Sequence, residues 1–172
     1  MEKNLSNDEA IKKMKEMAES VGICIYTSIN DDKQLNGRPM GTAKIEDDGT
    51  FWFFTSDYSG AAHLAASQKD VLLSYSSPAK NTYVTVNGGA ELSYDKAKMQ
   101  ELWTPMMKTW FPQGLETPDI ALLCVKPTSA HYWDSDISRL SLLYSFVVAQ
   151  VTGKRPDTAG EYGELDMNTA AK

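Results

Sequence analysis

The sequence predicts a mainly β domain with flanking helices, folded as a small closed or half-closed barrel of six or seven antiparallel strands. Three observations predict it. Apolar segments of strand length are separated by short polar turns, Asp48-Gly49 among them, that suit antiparallel hairpins. The long run at residues 82–92 carries Gly88-Gly89, a pair that marks a bulge or sharp bend within a strand. The strand, helix, strand alternation that a parallel sheet needs for its crossovers is missing.

Each element follows in order. Ser6 and Glu9 form a capping box, and Ile11, Met14, Ala18 and Val21 then recur at helical spacing up to Gly22. Ile23, Ile25, Thr27 and Ile29 alternate with Cys24, Tyr26 and Ser28, a strand expected to be at least partly covered on both faces. After the polar NDDKQLNG, strands at residues 38–45 and 50–55 meet across EDDG, where Asp48-Gly49 supplies a positive φ. Small residues at 59–67 suit a short helix, residues 71–76 a further strand, and SSPAKN a loop into residues 82–92. Asp95 caps a helix that runs to residue 102 or 103, and residues 105–114 are aromatic and irregular. Residues 120–125 and 130–133 give the last strands. Leu140, Leu143, Tyr144, Val147 and Val151 make a final helix stopped by Gly153. Residues 154–172 show no periodicity and read as a weakly ordered tail, so the domain is expected to occupy residues 1–153.

Composition narrows the function. A chain of 172 residues fits one domain with a real core. The net charge of −6 argues against nucleic acid, whose backbone is bound by clustered Lys and Arg. Cys24 and Cys124 both sit in apolar runs, which suits free thiols in a reducing compartment. The N-terminus has no signal-peptide core and no segment nears the roughly 20 apolar residues of a membrane span, so a soluble, cytoplasmic chain is expected. His63 and His131 are the only histidines and stand at no metal-ligand spacing, which leaves no metal site and no triad to propose.

The stretch FWFFTSDYSGAAHLAAS is where chemistry concentrates. A strand ends at Thr55 and Ser56, and a helix begins near Ser59, Gly60 and Ala61, whose free amides and small side chains form an anion site. Arg38, in GRPM on the hairpin-paired strand, can bring a guanidinium to the same edge. Two readings fit the stretch, a phosphate site and an ordinary capped turn.

Together GRPM, WFFTS about a dozen residues on, SG at a helix start, VLLSYSSPAKNTYVTVNGGAEL, ELWTPMMKTWFPQG and HYWDS resemble the flavin-binding split barrels related to pyridoxamine 5'-phosphate oxidase. Within them the chain resembles the general stress protein subfamily, over about residues 10–153. The resemblance implies a six-stranded split barrel, a homodimer, and FMN at each subunit interface, with FAD as the other flavin the fold could take. It implies that Arg38 contacts the phosphate, that Met40 and Thr42 follow on that strand, and that Phe54 and Thr55 contribute from the next. Ser59, Gly60 and Ala61 match the phosphate loop at the helix start, Asn81, Thr82 and Tyr83 fall near the ring system, and Trp133 falls where a Trp packs on the flavin, from either subunit. Trp110 either covers the same groove or joins Trp103, Met106 and Met107 in core or interface packing.

The departures define the expected function. Relatives commonly carry Arg or Lys at the start of the phosphate helix, where this chain has Gly60 and Ala61, so a charge-assisted bond of about 1.5–3 kcal/mol is expected to be absent. The oxidase holds its substrate with a Tyr, an Arg and a Ser on one element and a C-terminal Arg-x-His. Here Arg38, Arg139 and Arg155 are the only arginines and DKAKMQELWTPMMKTWF has none, so oxidation of a vitamin B6 phosphate is not expected. One expectation is a stress-linked, FMN-dependent oxidoreductase of unidentified substrate, reduced by NAD(P)H, with Lys44 as the cation near the flavin's pyrimidine edge. The others are a flavin store or sensor without turnover, and a dimer that has lost tight flavin binding. No residue is assigned as a catalytic acid or base.

Overall fold

The computed structural model describes residues 5–30, 32–57, 59, 70–134 and 161–166. Helix α1 (Asn7–Val21) follows directly on a two-residue strand, β1 (Leu5–Ser6), and buries Ala10, Met14, Met17 and Ala18 along one stripe. Gly22 at φ +80° ends it, a conformation a side chain would resist. Strand β2 (Ile23–Ile29) buries Cys24, Tyr26 and Ser28 and leaves Ile23, Ile25 and Ile29 exposed, so in the single chain only one face is covered.

The strand expected at residues 38–45 is two strands, β3 (Leu35–Gly41) and β4 (Lys44–Ile45). The chain bends between them, where Thr42 N donates to Gly22 O and Ala43 N to Trp52 O, both 2.9 Å or less. Strand β5 (Phe51–Ser56) pairs with β4 across a tight hairpin. There Gly49 N donates to Glu46 O and Glu46 N to Thr50 O, with Gly49 at φ +86°, the geometry of a type I turn followed by a glycine bulge.

Strands β6 (Asp70–Ser77), β7 (Thr82–Ser93) and β8 (Ile120–Asp134) complete a closed circuit. The pairings β2–β3, β4–β5, β5–β8, β8–β7, β7–β6 and β6–β2 close the ring, with β3 and β4 counting as one bent strand. This is the six-stranded antiparallel barrel expected, inside a nine-stranded sheet that also holds β1 and β9 (Glu161–Asp166). Helix α1 and the inward side chains, Tyr26, Phe51, Phe53, Leu73, Tyr75 and Tyr132 among them, form one core. A second cluster lies on the outer side of β5 and β8, where α2 (Lys96–Leu102) covers Ile120 and Leu122 with Met99 and Leu102. Asp95 caps α2 as expected, accepting from the amides of Ala97 and Lys98.

Two expectations about the second half change. Residues 120–125 and 130–133 form one strand, because the chain passes KPTS through a bulge. Asn87 pairs with Ser129 and Gly88 with Pro127, so Thr128 is the extra residue and Pro127, which has no N–H to give, sits at the irregularity. On its other side β8 pairs first with β5 and then, beyond the bulge, with β9. The sequence reading leaves residues 154–172 outside the fold, yet β9 lies within them and buries Leu165 completely in the main core. The helices expected at residues 59–67, apart from Ser59, and around Leu140–Val151 lie outside the described residues.

Candidate functional site

The barrel interior changes character along its strands. Going toward one end, the inward side chains run Cys24, Tyr26, Ser28 on β2; Met40, Arg38 on β3; Phe51, Phe53, Thr55 on β5. Three adjacent strands thus pass from apolar to hydroxyl or guanidinium at the same end. Arg38 lies directly across from Tyr26 and is half-buried, and among the described residues it has no ion-pair or hydrogen-bond partner. The Tyr26 hydroxyl is buried and also unpartnered. Burial pushes its pKa up to about 12, while the positive charge of Arg38 pulls the other way.

The exit of β5 adds two more groups from the expected set. Thr55, 6% exposed, has its hydroxyl 2.9 Å from that of Ser59, and Ser59 N donates to Ser56 O across the turn. On the opposite face of the strand Ser56 donates to the Asp119 carboxylate, and Asp57 N donates to Asp119 O. Asp57 Oδ1 is buried there without a donor. The exit of β5 therefore carries the Thr55 and Ser59 hydroxyls on one side and the Asp119 and Asp57 carboxylates on the other.

Arg38 and Thr55 take inward positions on their strands and Thr55 is bonded to Ser59, whereas the other expected residues are placed differently. Met40 is buried in the core, and the Thr42 hydroxyl is 2.6 Å from the hydroxyl of Tyr75. Phe54 packs edge-on against Trp103 at 5.6 Å and against Phe111 at 6.2 Å, so its ring belongs to the second core and only its backbone is free for a ligand. Lys44 stands apart, its ammonium 2.8 Å from Glu101 and 3.3 Å from Glu46 in a network that Lys98 joins. The bond to Glu101, then that to Glu46, raises its pKa. A groove of about 590 Å³ lies beside this network, over Trp52 and Cys124, and none of its lining residues is an expected cofactor contact. Gly60 and Ala61 lie outside the described residues.

Asn81 takes φ +49° in the turn that leads into β7, and Thr82 is buried beside it. Tyr83, in contrast, points outward. It lies across from Trp133 on β8, which lies across from Tyr162 on β9, and the three rings are 37, 49 and 46% exposed. Trp110 and Met106 are both 78% exposed on the irregular segment, so neither fills the core. Following the pairings Arg38–Tyr26–Leu73–Val86–Ala130 round the ring leaves Trp133 three residues, about 10 Å, further along and on the opposite face of the sheet. The polar barrel end and the aromatic row therefore face different ways in one chain.

Sequence reasoning missed Tyr26, Ser28, Asp57 and Tyr162. The alternation in ICIYTSI gave a signal for the first two, since it puts Tyr26 and Ser28 on one face; nothing local marked the others. Among the described residues no cluster of His, Cys, Asp and Glu could hold a metal, and no helix is long and apolar enough to cross a membrane.

The comparisons with known proteins agree on the kind of fold. A proposed general stress protein 26 from Jannaschia sp. CCS1 superposes with a TM-score of 0.74 at 24% identity, over 92% of this chain and 98% of that one. A general stress FMN/FAD binding protein from Xanthomonas citri gives 0.65 at 26% identity, over 76% and 92%. A Clostridium acetobutylicum protein related to general stress protein 26 of B. subtilis gives 0.65 at 20% identity, over 74% and 90%. No curated protein matches the chain. A family model described as pyridoxamine 5'-phosphate oxidase like matches residues 9–157. Its span takes in the whole barrel ring, and the protein belongs to the pyridoxamine 5'-phosphate oxidase-like family.

Proposed function

We propose that the protein is a cytoplasmic, homodimeric flavoprotein that binds FMN and passes electrons from NAD(P)H to an acceptor as part of a stress response. The observation that carries the binding is Arg38. A half-buried guanidinium without a counter-charge among the described residues has given up hydration without compensation from them, which favours uptake of an anion. Thr55 and Ser59 would supply hydroxyls to the same phosphate, and Gly60 and Ala61, which the sequence reads as the start of a helix, lie outside the described residues. FAD binding is the variant of this reading that the Xanthomonas citri protein's description supports.

The ring system needs a second copy. Arg38 and Thr55 face the barrel interior while Tyr83 and Trp133 face outward, so Trp133 of one protomer would pack on a flavin whose phosphate the other holds. Asn81 and Thr82 would contribute backbone groups beside it. The bound flavin supplies the redox chemistry, and the chain's own residues bind, orient and exclude water. Lys44 has no part in this reading, because two carboxylates already hold its ammonium. A store or sensor without turnover is the second reading, favoured by the absence of any arginine from DKAKMQELWTPMMKTWF to hold a substrate.

Equilibrium titration with FMN and with riboflavin, which lacks the phosphate, tests the reading. The wild type should bind FMN more tightly than riboflavin. Arg38→Ala should weaken FMN by about 10- to 100-fold, one charge-assisted bond's worth, and leave riboflavin unchanged. A wild-type protein with no spectral change on titration overturns the flavin assignment. Anaerobic bleaching by NADPH separates the oxidoreductase from the store.

A further inference from the structure

The aromatic row does not end at Trp133. β9 adds Tyr162 directly across from it, on the same outward face, since Leu165 three residues on is the one buried in the core. Tyr83, Trp133 and Tyr162 therefore stand side by side on three neighbouring strands. Strands lie about 4.8 Å apart, so the row spans about 10 Å, the length of a three-ring system. The next outward row along the strands, Thr85, His131 and Glu164, is polar.

We infer that the C-terminal strand belongs to the cofactor site, with Tyr162 as the third ring of the surface on which the isoalloxazine lies. This rests on the flavin reading above and adds to it a residue from the segment 161–166, which the motifs of the resemblance do not reach. The row's exposure follows from its register. Tyr83 and Trp133 are fixed by the barrel, whereas Tyr162 is there only because β9 pairs along the outer half of β8. The occupant is a flat conjugated ring: aromatic rings stack on one another with a gain beyond burial alone, and no charged side chain stands among the three.

The test measures FMN and riboflavin dissociation constants, with sedimentation and thermal unfolding of each variant. Tyr162→Ala should weaken both ligands by the same factor, about tenfold, because it removes ring contact and leaves the phosphate contact alone. Tyr162→Phe should bind within about twofold of wild type, because the ring face is kept. An Ala variant that binds both ligands as wild type does overturns the inference. So does a Phe variant as impaired as Ala, or an Ala variant that partly dissociates to monomer while its dimer fraction binds flavin as wild type does. A wild type that binds neither ligand instead overturns the flavin reading itself, so the two failures are distinct.

Discussion

Arg38, half-buried and without a partner among the described residues, and Asp57, whose Oδ1 is buried without a donor past the exit of β5, would act oppositely on a phosphate that came near them. Arg38 favours it through charge and through up to five N–H donors. Asp57 opposes it, and its buried Oδ1 needs a donor that a phosphate dianion does not offer. Asp57→Asn removes the negative charge and keeps the shape, so FMN affinity should rise by about three- to tenfold while riboflavin affinity stays the same. Unchanged FMN binding in that variant would mean that the carboxylate is turned away from the site. Lys44 shows how a residue type alone misleads. It reads as a cation free to tune a ring, and it is spent on Glu101 and Glu46 at the surface.

At the element scale the bulge on β8 decides the architecture. Beyond Thr128 the strand exchanges β5 for β9 as its second neighbour, so the bend is what lets a closed ring carry an extra strand at its side. Gly88 makes the bend possible, since a Cβ there would meet the Lys126 carbonyl oxygen at 2.5 Å, whereas one on Gly89 would meet nothing. Gly88→Ala should therefore cost about 1–3 kcal/mol and lower Tm by about 2–12 °C. Gly89→Ala is the control, and equal Tm changes in the two variants would refute the steric account. The glycine pair was legible in the sequence as a bulge. That the extra residue belongs to the facing strand was not, because a bulge is a mismatch of two chains and only one was in view.

For the whole molecule, the exposed side of the sheet is the informative surface. Ile23, Ile25 and Leu35 are 60, 46 and 76% exposed, and with the aromatic row they make an outer face more apolar than a lone chain needs. A second copy that covers this face would also bring its Trp133 toward a flavin held at the first copy's barrel end. Ile25→Glu puts a charge into that face without touching the barrel interior. It should give a monomer by sedimentation and lose FMN affinity in the same step. A monomer that still binds FMN as tightly as wild type would show that each chain holds its cofactor alone.

The sequence by itself determined the elements whose cause is local. The Asp48-Gly49 hairpin, the Asp95 cap, the α1 stripe and the strand alternation all follow from turn geometry, capping and period, which act between near neighbours. The motif run also named Arg38, Thr55 and Ser59; the fold turns Arg38 and Thr55 to the inward face of their strands and bonds Thr55 to Ser59. Tertiary structure alone decided the rest. EYGELD has no strand pattern of its own and becomes β9 because the outer half of β8 has an unpaired edge to fill. Lys44 is paired with Glu101 on a helix 57 residues further along the chain, and Tyr26 becomes a neighbour of Arg38 only through the β2–β3 register. Long-range pairing sets these contacts, and no short window of sequence contains both partners.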